Sequence, residues 1–403
     1  MGSQKRILKQ LNEVNWDFAG YNPNGRGTGI HNIHWYPAPF PPGVAGTLID
    51  ILGVDSQSFL DPFCGSSVAP FEAWFSGKKV FAIDNNHFAI EIAKAKAQFI
   101  TTGDEETAKA LTNDYETFRD SQIRSFSKMI PENICKRSGI HLGAVRWFTQ
   151  PVLAEIAVVK QWILSRHKLT KEWRSALSVT LSSLLHGRFS IARNYHYTYI
   201  VDNSRVKNEA LATVDVQRLF VTKLYDNMIQ GQLARERLLR MGNGHRTPVP
   251  EFIWGRAQSL LDIIPDGVDF VLTSPPYFGM NDYVRSQYLT WLIFQWSEYE
   301  ADVANESGSR RSRNSRTALG SYFSDMYESF FSIHRILKKG GYLALILGSS
   351  TTKLAREIDP LVEMEKQLNE IGFERIWDGR RRIRFRKINN TPFRDEVIWI
   401  YQR

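Results

Sequence analysis

Two short stretches of this chain combine residue types that can do chemistry. The first is Asp61-Pro62-Phe63-Cys64-Gly65-Ser66-Ser67, directly after the apolar pair Phe59-Leu60. Gly65 lets a backbone approach a ligand closely. Asp84 ends the next apolar run, where nucleotide-binding sheets place a carboxylate on a ribose diol. A dinucleotide site calls for G-x-G-x-x-G and a pyrophosphate at the helix N-terminus. This loop has one glycine, and the Asp61 charge would repel a pyrophosphate. An acid suits a cation instead. S-adenosylmethionine carries an ammonium, a ribose diol and no phosphate, so Asp61 on the amine and Asp84 on the ribose form a consistent pair. An ordinary strand-end turn remains the plain alternative for this loop taken alone. Cys64 reads as a small buried thiol, because nothing near it in sequence supplies a general base.

The second stretch is Thr273-Ser274-Pro275-Pro276-Tyr277, after the run Val268–Leu272. Two prolines fix the backbone and remove two donors. A hydroxyl, carbonyls and an aromatic remain, which suits the exocyclic amine of a nucleobase. That amine is a poor nucleophile, because its lone pair is delocalised into the ring. The Ser274 hydroxyl and the Pro275 carbonyl can accept its two N–H bonds and stabilise charge developing on nitrogen. Tyr277 can stack on the base. A base inside a duplex cannot reach such a loop, so flipping is implied. A rigid turn with a surface tyrosine is the alternative for this loop alone.

Both stretches need a sheet behind them. The alternation of apolar runs and helical periods predicts one. Strands are expected at 59–60, 79–83, 252–255, 268–272 and 342–347, with two more at 380–387 and 396–401. Helices are expected at 68–75, 86–99, 257–264, 322–338 and 363–371. Residues 1–46 read as an extended, irregular arm. Residues 101–249 are mainly helical in pattern, with the stripe Trp147, Val152, Ile156, Val159 and Ile163. The fold class is therefore α/β, a Rossmann-like sheet with a large, mainly helical insert. Residues 1–100 and 250–403 form the cofactor-binding catalytic domain, and 101–249 is the candidate target-recognition insert.

The 403 residues are 43% hydrophobic and 23% charged, a globular profile. Apolar runs fall short of the ~18 residues of a membrane helix, and the N-terminus has no apolar signal core. Arg6 stands where myristoylation prefers Ser or Thr. Two cysteines cannot make a disulfide framework or a four-cysteine zinc site, so a reducing cytoplasm fits. His31 and His34 lack further ligands nearby, so no metal site is expected. The net charge is +9, with pI near 9.4. Its excess sits in two segments. One holds Arg310, Arg311, Arg313 and Arg316 in a Ser/Asn/Gly-rich stretch that reads as a mobile loop. The other places Arg380, Arg382, Arg384 and Arg386 on one face of a strand. Both follow the second loop and suit phosphate contact. Arg188, Arg193, Tyr195, His196 and Tyr197 add a mixed aromatic and basic group, for which core packing is an equal explanation.

Three stretches together resemble the amino-methylating DNA methyltransferases, which modify cytosine N4 or adenine N6. Asp61 to Ser67 resembles their cofactor loop. Thr273 to Tyr277 resembles their catalytic loop. His31 to Pro42, with His34-Trp35-Tyr36-Pro37-Ala38-Pro39-Phe40, resembles the segment folding over the cofactor's methionine end. The resemblance covers about 1–100 and 250–403. It implies a class I methyltransferase sheet, S-adenosylmethionine as cofactor, and Ser274, Pro275, Pro276 and Tyr277 as catalytic. It implies His34, Tyr36, Asp61, Phe63, Gly65 and Asp84 as cofactor contacts. Serine at the first catalytic position favours cytosine N4 over adenine N6.

Two departures stand out. The cofactor loop ends Gly-Ser-Ser where the family has Gly-Ser-Gly, and Arg256 follows Gly255 where the family often has an acid. The expected protein is a cytoplasmic, nucleoid-associated, site-specific DNA methyltransferase with a cognate restriction or defence partner in view. An RNA base methyltransferase is the second choice. A nucleic-acid-binding defence protein of weak turnover is the third.

Overall fold

The computed structural model describes residues 2–18, 29–37, 41–195, 199–202, 214–240, 247–264, 267–348, 350, 352–383 and 394–403. In chain order the strands are β1 (Ser58–Asp61), β2 (Lys79–Asp84), β3 (Ala192–Tyr195), β4 (Tyr199–Asp202), β5 (Glu251–Trp254), β6 (Val268–Thr273), β7 (Leu337–Gly348), β8 (Glu374–Ile383) and β9 (Arg394–Gln402). Seven of them form one sheet in the order β5-β2-β1-β6-β7-β9-β8, and β3 and β4 pair as a separate hairpin. Pairings from β5 through β7 are parallel, and β9 runs antiparallel to both neighbours. The chain is thus α/β with a mostly parallel sheet. Such a sheet must be covered on both faces. Phe59, Phe270, Leu272, Ala344 and Ile346 pack into one core, while Leu60, Val271, Leu343, Leu345 and Leu347 pack into the other.

The helices are α1 (Gly2–Glu13), α2 (Pro42–Leu52), α3 (Val68–Phe75), α4 (His87–Thr102), α5 (Glu105–Phe126), α6 (Pro131–Ser138), α7 (Gln150–Ser165), α8 (Lys171–Leu184) and α9 (Val216–Arg240). After the insert come α10 (Leu260–Ile263), α11 (Tyr288–Phe294), α12 (Tyr299–Asn305), α13 (Arg316–Ile336), α14 (Lys353–Glu357) and α15 (Pro360–Ile371). Both α8 and α9 pack on α4, and their apolar faces continue the core beneath the sheet. Glu72 of α3 joins three parts of the chain. It is 3% exposed, its Oε1 lies 3.0 Å from His31 Nε2, and its two oxygens accept from Arg237 Nη1 and Nη2 at 2.9 and 2.8 Å.

Four expectations are corrected. The N-terminal arm is not irregular throughout. Ile7 and Leu11, one turn apart, bury one side of α1, and Trp16 packs on Trp377 at 5.8 Å. Pro42 opens α2 at its first turn, and Val44, Ala45, Leu48 and Ile49 face the core. The helix expected at 322–338 starts earlier, where Ser315 accepts the Ala318 N–H at 3.1 Å, and stops at Ile336. Leu337 to Gly341 already belong to β7, through a register irregularity that Gly340 at φ +79° accommodates. Arg310 to Ser312 form a helical turn, not a loose loop, because the 279–282 backbone pairs with it: the Arg310 N–H donates to Asn281 O at 3.0 Å. Among the described residues no helix is long and apolar enough to cross a membrane, and no three His, Cys, Asp or Glu side chains are grouped to hold a metal.

Candidate functional site

The chain leaves β1 towards β2 on one side and pairs β1 with β6 on the other, so the direction of winding reverses between β1 and β6. Open α/β sheets bind ligands outside the strand ends at such a switch point. Both loops singled out in the sequence emerge there. Asp61 ties them together: its Oδ1 accepts from Thr273 Oγ1 at 2.6 Å and from the Phe63 N–H at 3.2 Å. It is 1% exposed, and burial pushes its carboxyl up to about 7. Asp61 does not line the cleft between the loops but lies behind its wall.

Phe63, Gly65 and Asp84 line the first wall with Tyr36. Gly65 has φ +48°, and a Cβ there would sit 2.9 Å from Tyr36 Cε1, so only glycine lets the ring close over the loop. The Gly65 N–H donates to Asp84 Oδ2 and the Asn86 N–H to Asp84 Oδ1, each at 2.8 Å. Burial pushes Asp84 up to about 6. Each of its oxygens keeps a lone pair for a further donor. Behind the loop, the buried Lys96 ammonium donates to the Ser66 carbonyl.

Ser67 occupies φ +61°, ψ +46°, the left-handed region. The sequence departure thus falls at the position whose backbone asks for glycine. Ser67→Gly is expected to stabilise the fold by about 0.5–1 kcal/mol, since the relieved strain exceeds the added freedom of the unfolded chain. A denaturant midpoint checks this, and a lower midpoint would show that the Ser67 side chain contributes more than it strains.

Ser274 and Pro276 line the opposite wall. Pro275 is buried between them. Tyr322 Oη donates to the Pro276 carbonyl at 2.8 Å, while no described group donates to the Pro275 carbonyl. Tyr277 is not part of the lining. Its hydroxyl lies 3.1 Å from Ser274 Oγ and donates to Glu396 Oε1 at 3.1 Å. Beside Tyr36 and Phe63, the further aromatic of the lining is Tyr283, which stacks with Tyr36 at 6.3 Å between centroids and 26° between planes.

The sequence reading missed Tyr283 and Glu306. Glu306 lines the cleft, and its Oε1 accepts from the N–H groups of Tyr283 and Val284. Its Oε2 is buried with no partner. Burial, then the nearby Asp282 charge, pushes it up to about 8. The segment carrying it reaches across the sheet edge through Asp302, whose Oδ2 accepts the His87 N–H at 2.7 Å and whose Oδ1 accepts Trp254 Nε1 at 2.9 Å. A lone glutamate in a polar segment leaves no sequence signal. Only the anchoring of α12 at the ends of β2 and β5 through Asp302 puts it beside the loops.

Several expected site residues stand elsewhere. His34 does not line the cleft; it is 2% exposed and struts the insert. Its Nδ1 donates to Trp35 O at 2.6 Å and its Nε2 lies 2.9 Å from Ser182 Oγ, while burial lowers it to about 3, leaving it neutral. Arg256 stays outside the cleft and reaches Asp325 at 3.4 Å. Arg311 donates to the Val303 carbonyl at 2.6 Å, Arg316 pairs with Glu357 at 2.7 Å, and Arg313 packs behind Gly279, two residues beyond Tyr277. Arg380 and Arg382 are exposed on one face of β8, with Arg381 buried on the other. Arg384, Arg386, His196, Tyr197 and the 38–40 part of the arm lie outside the described residues, as do the side chains of Arg193 and Tyr195. No protein-family model matches the chain, and no curated protein matches it.

Proposed function

We propose that the chain is an S-adenosylmethionine-dependent DNA methyltransferase of the amino-methylating kind, with a Rossmann-like class I fold and cytosine N4 as the favoured target. One observation carries this reading: the glycine loop with Asp84 and the Ser-Pro-Pro-Tyr loop form opposite walls of one cleft at the switch point of the sheet. The residues fit such a cofactor. Gly65 offers bare backbone, Asp84 keeps free lone pairs for a diol, and Glu306 Oε2 is a buried acceptor without a partner. Neither Asp84 nor Glu306 has an ion-pair partner among the described residues, so an ammonium or sulfonium would supply the missing positive charge.

When bound, the cofactor supplies an electrophilic methyl carbon on a positively charged sulfur. Ser274 Oγ and the Pro275 carbonyl take the two N–H bonds of the flipped base and turn the nitrogen lone pair towards the cofactor side. The same acceptors stabilise positive charge as it grows on nitrogen, and the methylated amine then gives one proton to solvent, which restores the neutral base. Tyr283 takes the stacking role expected of Tyr277. Arg380 and Arg382 offer exposed charge for the phosphate backbone, and the β3–β4 hairpin, beside the 285–287 turn, belongs to the proposed target-recognition region.

The test is incubation with methyl-labelled cofactor and varied DNA, then mass spectrometry of the nucleosides. N4-methylcytosine is the expected product. N6-methyladenine would select the other base, and labelling of RNA alone would select an RNA enzyme. No methylated base on any nucleic acid would leave a binding or defence protein that keeps the cleft.

A further inference from the structure

A hydrogen-bonded chain runs from the catalytic loop into the far edge of the sheet. Ser274 Oγ lies 3.1 Å from Tyr277 Oη, Tyr277 Oη donates to Glu396 Oε1 at 3.1 Å, and Arg381 Nη1 donates to Glu396 Oε2 at 2.7 Å. Arg381 and Glu396 face each other across β8 and β9 and are 4% and 6% exposed. The Tyr277 ring lies on Gly348, where a Cβ would collide with it. Nothing in the proposed reaction explains why a buried ion pair should stand behind this tyrosine.

We infer that Glu396, held by Arg381, is a positioning residue that fixes Ser274 as a hydrogen-bond acceptor by acting through Tyr277. This rests on the reading of Ser274 as the group that receives the target amine. The argument is one of donor and acceptor polarity. A guanidinium does not give up its proton, and neutralising Glu396 would leave it buried and unpaired. Glu396 therefore stays a carboxylate, which can only accept. Tyr277 has a single proton and gives it to Glu396, so it turns a lone pair towards Ser274. Ser274 then donates its only proton to Tyr277 and presents lone pairs to the cleft. An amine with two N–H bonds needs such an acceptor. A base carbonyl, which brings no proton, is refused by it. The charge on Glu396 also polarises the chain, making the Ser274 oxygen a stronger acceptor than an isolated serine. Tyr277 thereby acts as a relay behind the cleft wall, in keeping with its absence from the lining.

Glu396→Gln reverses the polarity at nearly constant shape, because its amide can donate to Tyr277. The full-length protein carrying [13Cζ]tyrosine is the probe, with the Tyr277 resonance assigned by its loss in Tyr277→Phe. In Glu396→Gln that resonance should move upfield, and kcat should fall about tenfold or more while KM for the cofactor stays within about twofold. Tyr277→Phe removes the relay without touching the charges and should cost kcat a similar factor. Arg381→Lys keeps a cation on Glu396 and should restore the wild-type resonance and most of the rate. Glu374→Gln, an exposed carboxylate on the same strand, should change neither. A Tyr277 resonance unmoved in Glu396→Gln would overturn the inference whether or not the protein methylates anything. A full kcat in Glu396→Gln would overturn it too. A wild-type protein that methylates no base sinks the proposed function instead, and the resonance still decides the polarity of the chain.

Discussion

Ser274→Ala is expected to lower the methyl-transfer rate by roughly 10²–10³-fold and to leave cofactor affinity nearly unchanged. The serine lines the cleft opposite the glycine loop; in the proposed reaction its oxygen is the acceptor beside the nitrogen on which positive charge develops. That interaction strengthens as the charge grows, so its loss appears in kcat more than in substrate binding. The Ala variant also leaves the Tyr277–Glu396–Arg381 part of the chain in place, so the loop should keep its shape. Single-turnover transfer of labelled methyl, beside calorimetry of cofactor binding, separates the two effects. A rate within a few-fold of wild type would remove Ser274 from the reaction.

Cofactor affinity should rise with pH between about 5.5 and 8, by up to tenfold for each proton released per pH unit. Burial pushes Asp84 up to about 6, Asp61 up to about 7 and Glu306 up to about 8. Without a ligand Asp84 gives up its proton near pH 6, Asp61 near 7, and Glu306 keeps its proton until about 8. A cationic ligand favours their ionised forms, so binding expels protons and tightens as pH rises. Lys96, lowered by burial to about 7, loses its own charge over the same range and acts in the same direction. Calorimetry in buffers of different ionisation enthalpy would count the protons released. The neutral thioether product should show a shallower dependence, having lost the sulfonium charge. A flat affinity for the charged cofactor would mean that Asp84 and Glu306, the two acids of the lining, do not face it.

The sheet was legible because its strands are short, apolar and regularly alternated with helical periods; five of the seven stand where the pattern placed them, while β7 begins at Leu337 rather than 342 and β8 runs from Glu374 to Ile383 rather than from 380 to 387. The loops were legible because glycine, paired prolines and acids punctuate strand ends. The rest depended on tertiary placement. The helix α1 is polar apart from a few apolar residues, so composition read it as irregular. The register irregularity at Gly340 hid the end of α13 and the true start of β7. Tyr277 had the right type and position for stacking, yet its ring direction depends on space above Gly348 and on Glu396, 119 residues away. His34 fell in a segment that resembles a cofactor cover, while its ring is claimed by Ser182 from the insert. Glu306 and Tyr283 enter the cleft only because α12 docks on the strand ends through Asp302.

The joint at Glu72 bears on how such a protein could acquire a new target. Its carboxylate belongs to the helix after the glycine loop, His31 to the N-terminal arm and Arg237 to the end of the insert. An insert exchanged for a foreign one would remove the arginine and leave the buried carboxylate with His31 alone, which destabilises the fold. If the insert carries target recognition as proposed, it is therefore not a plug-in cassette. A viable chimera must import a cation for Glu72 along with the new insert, or replace that acid in the host.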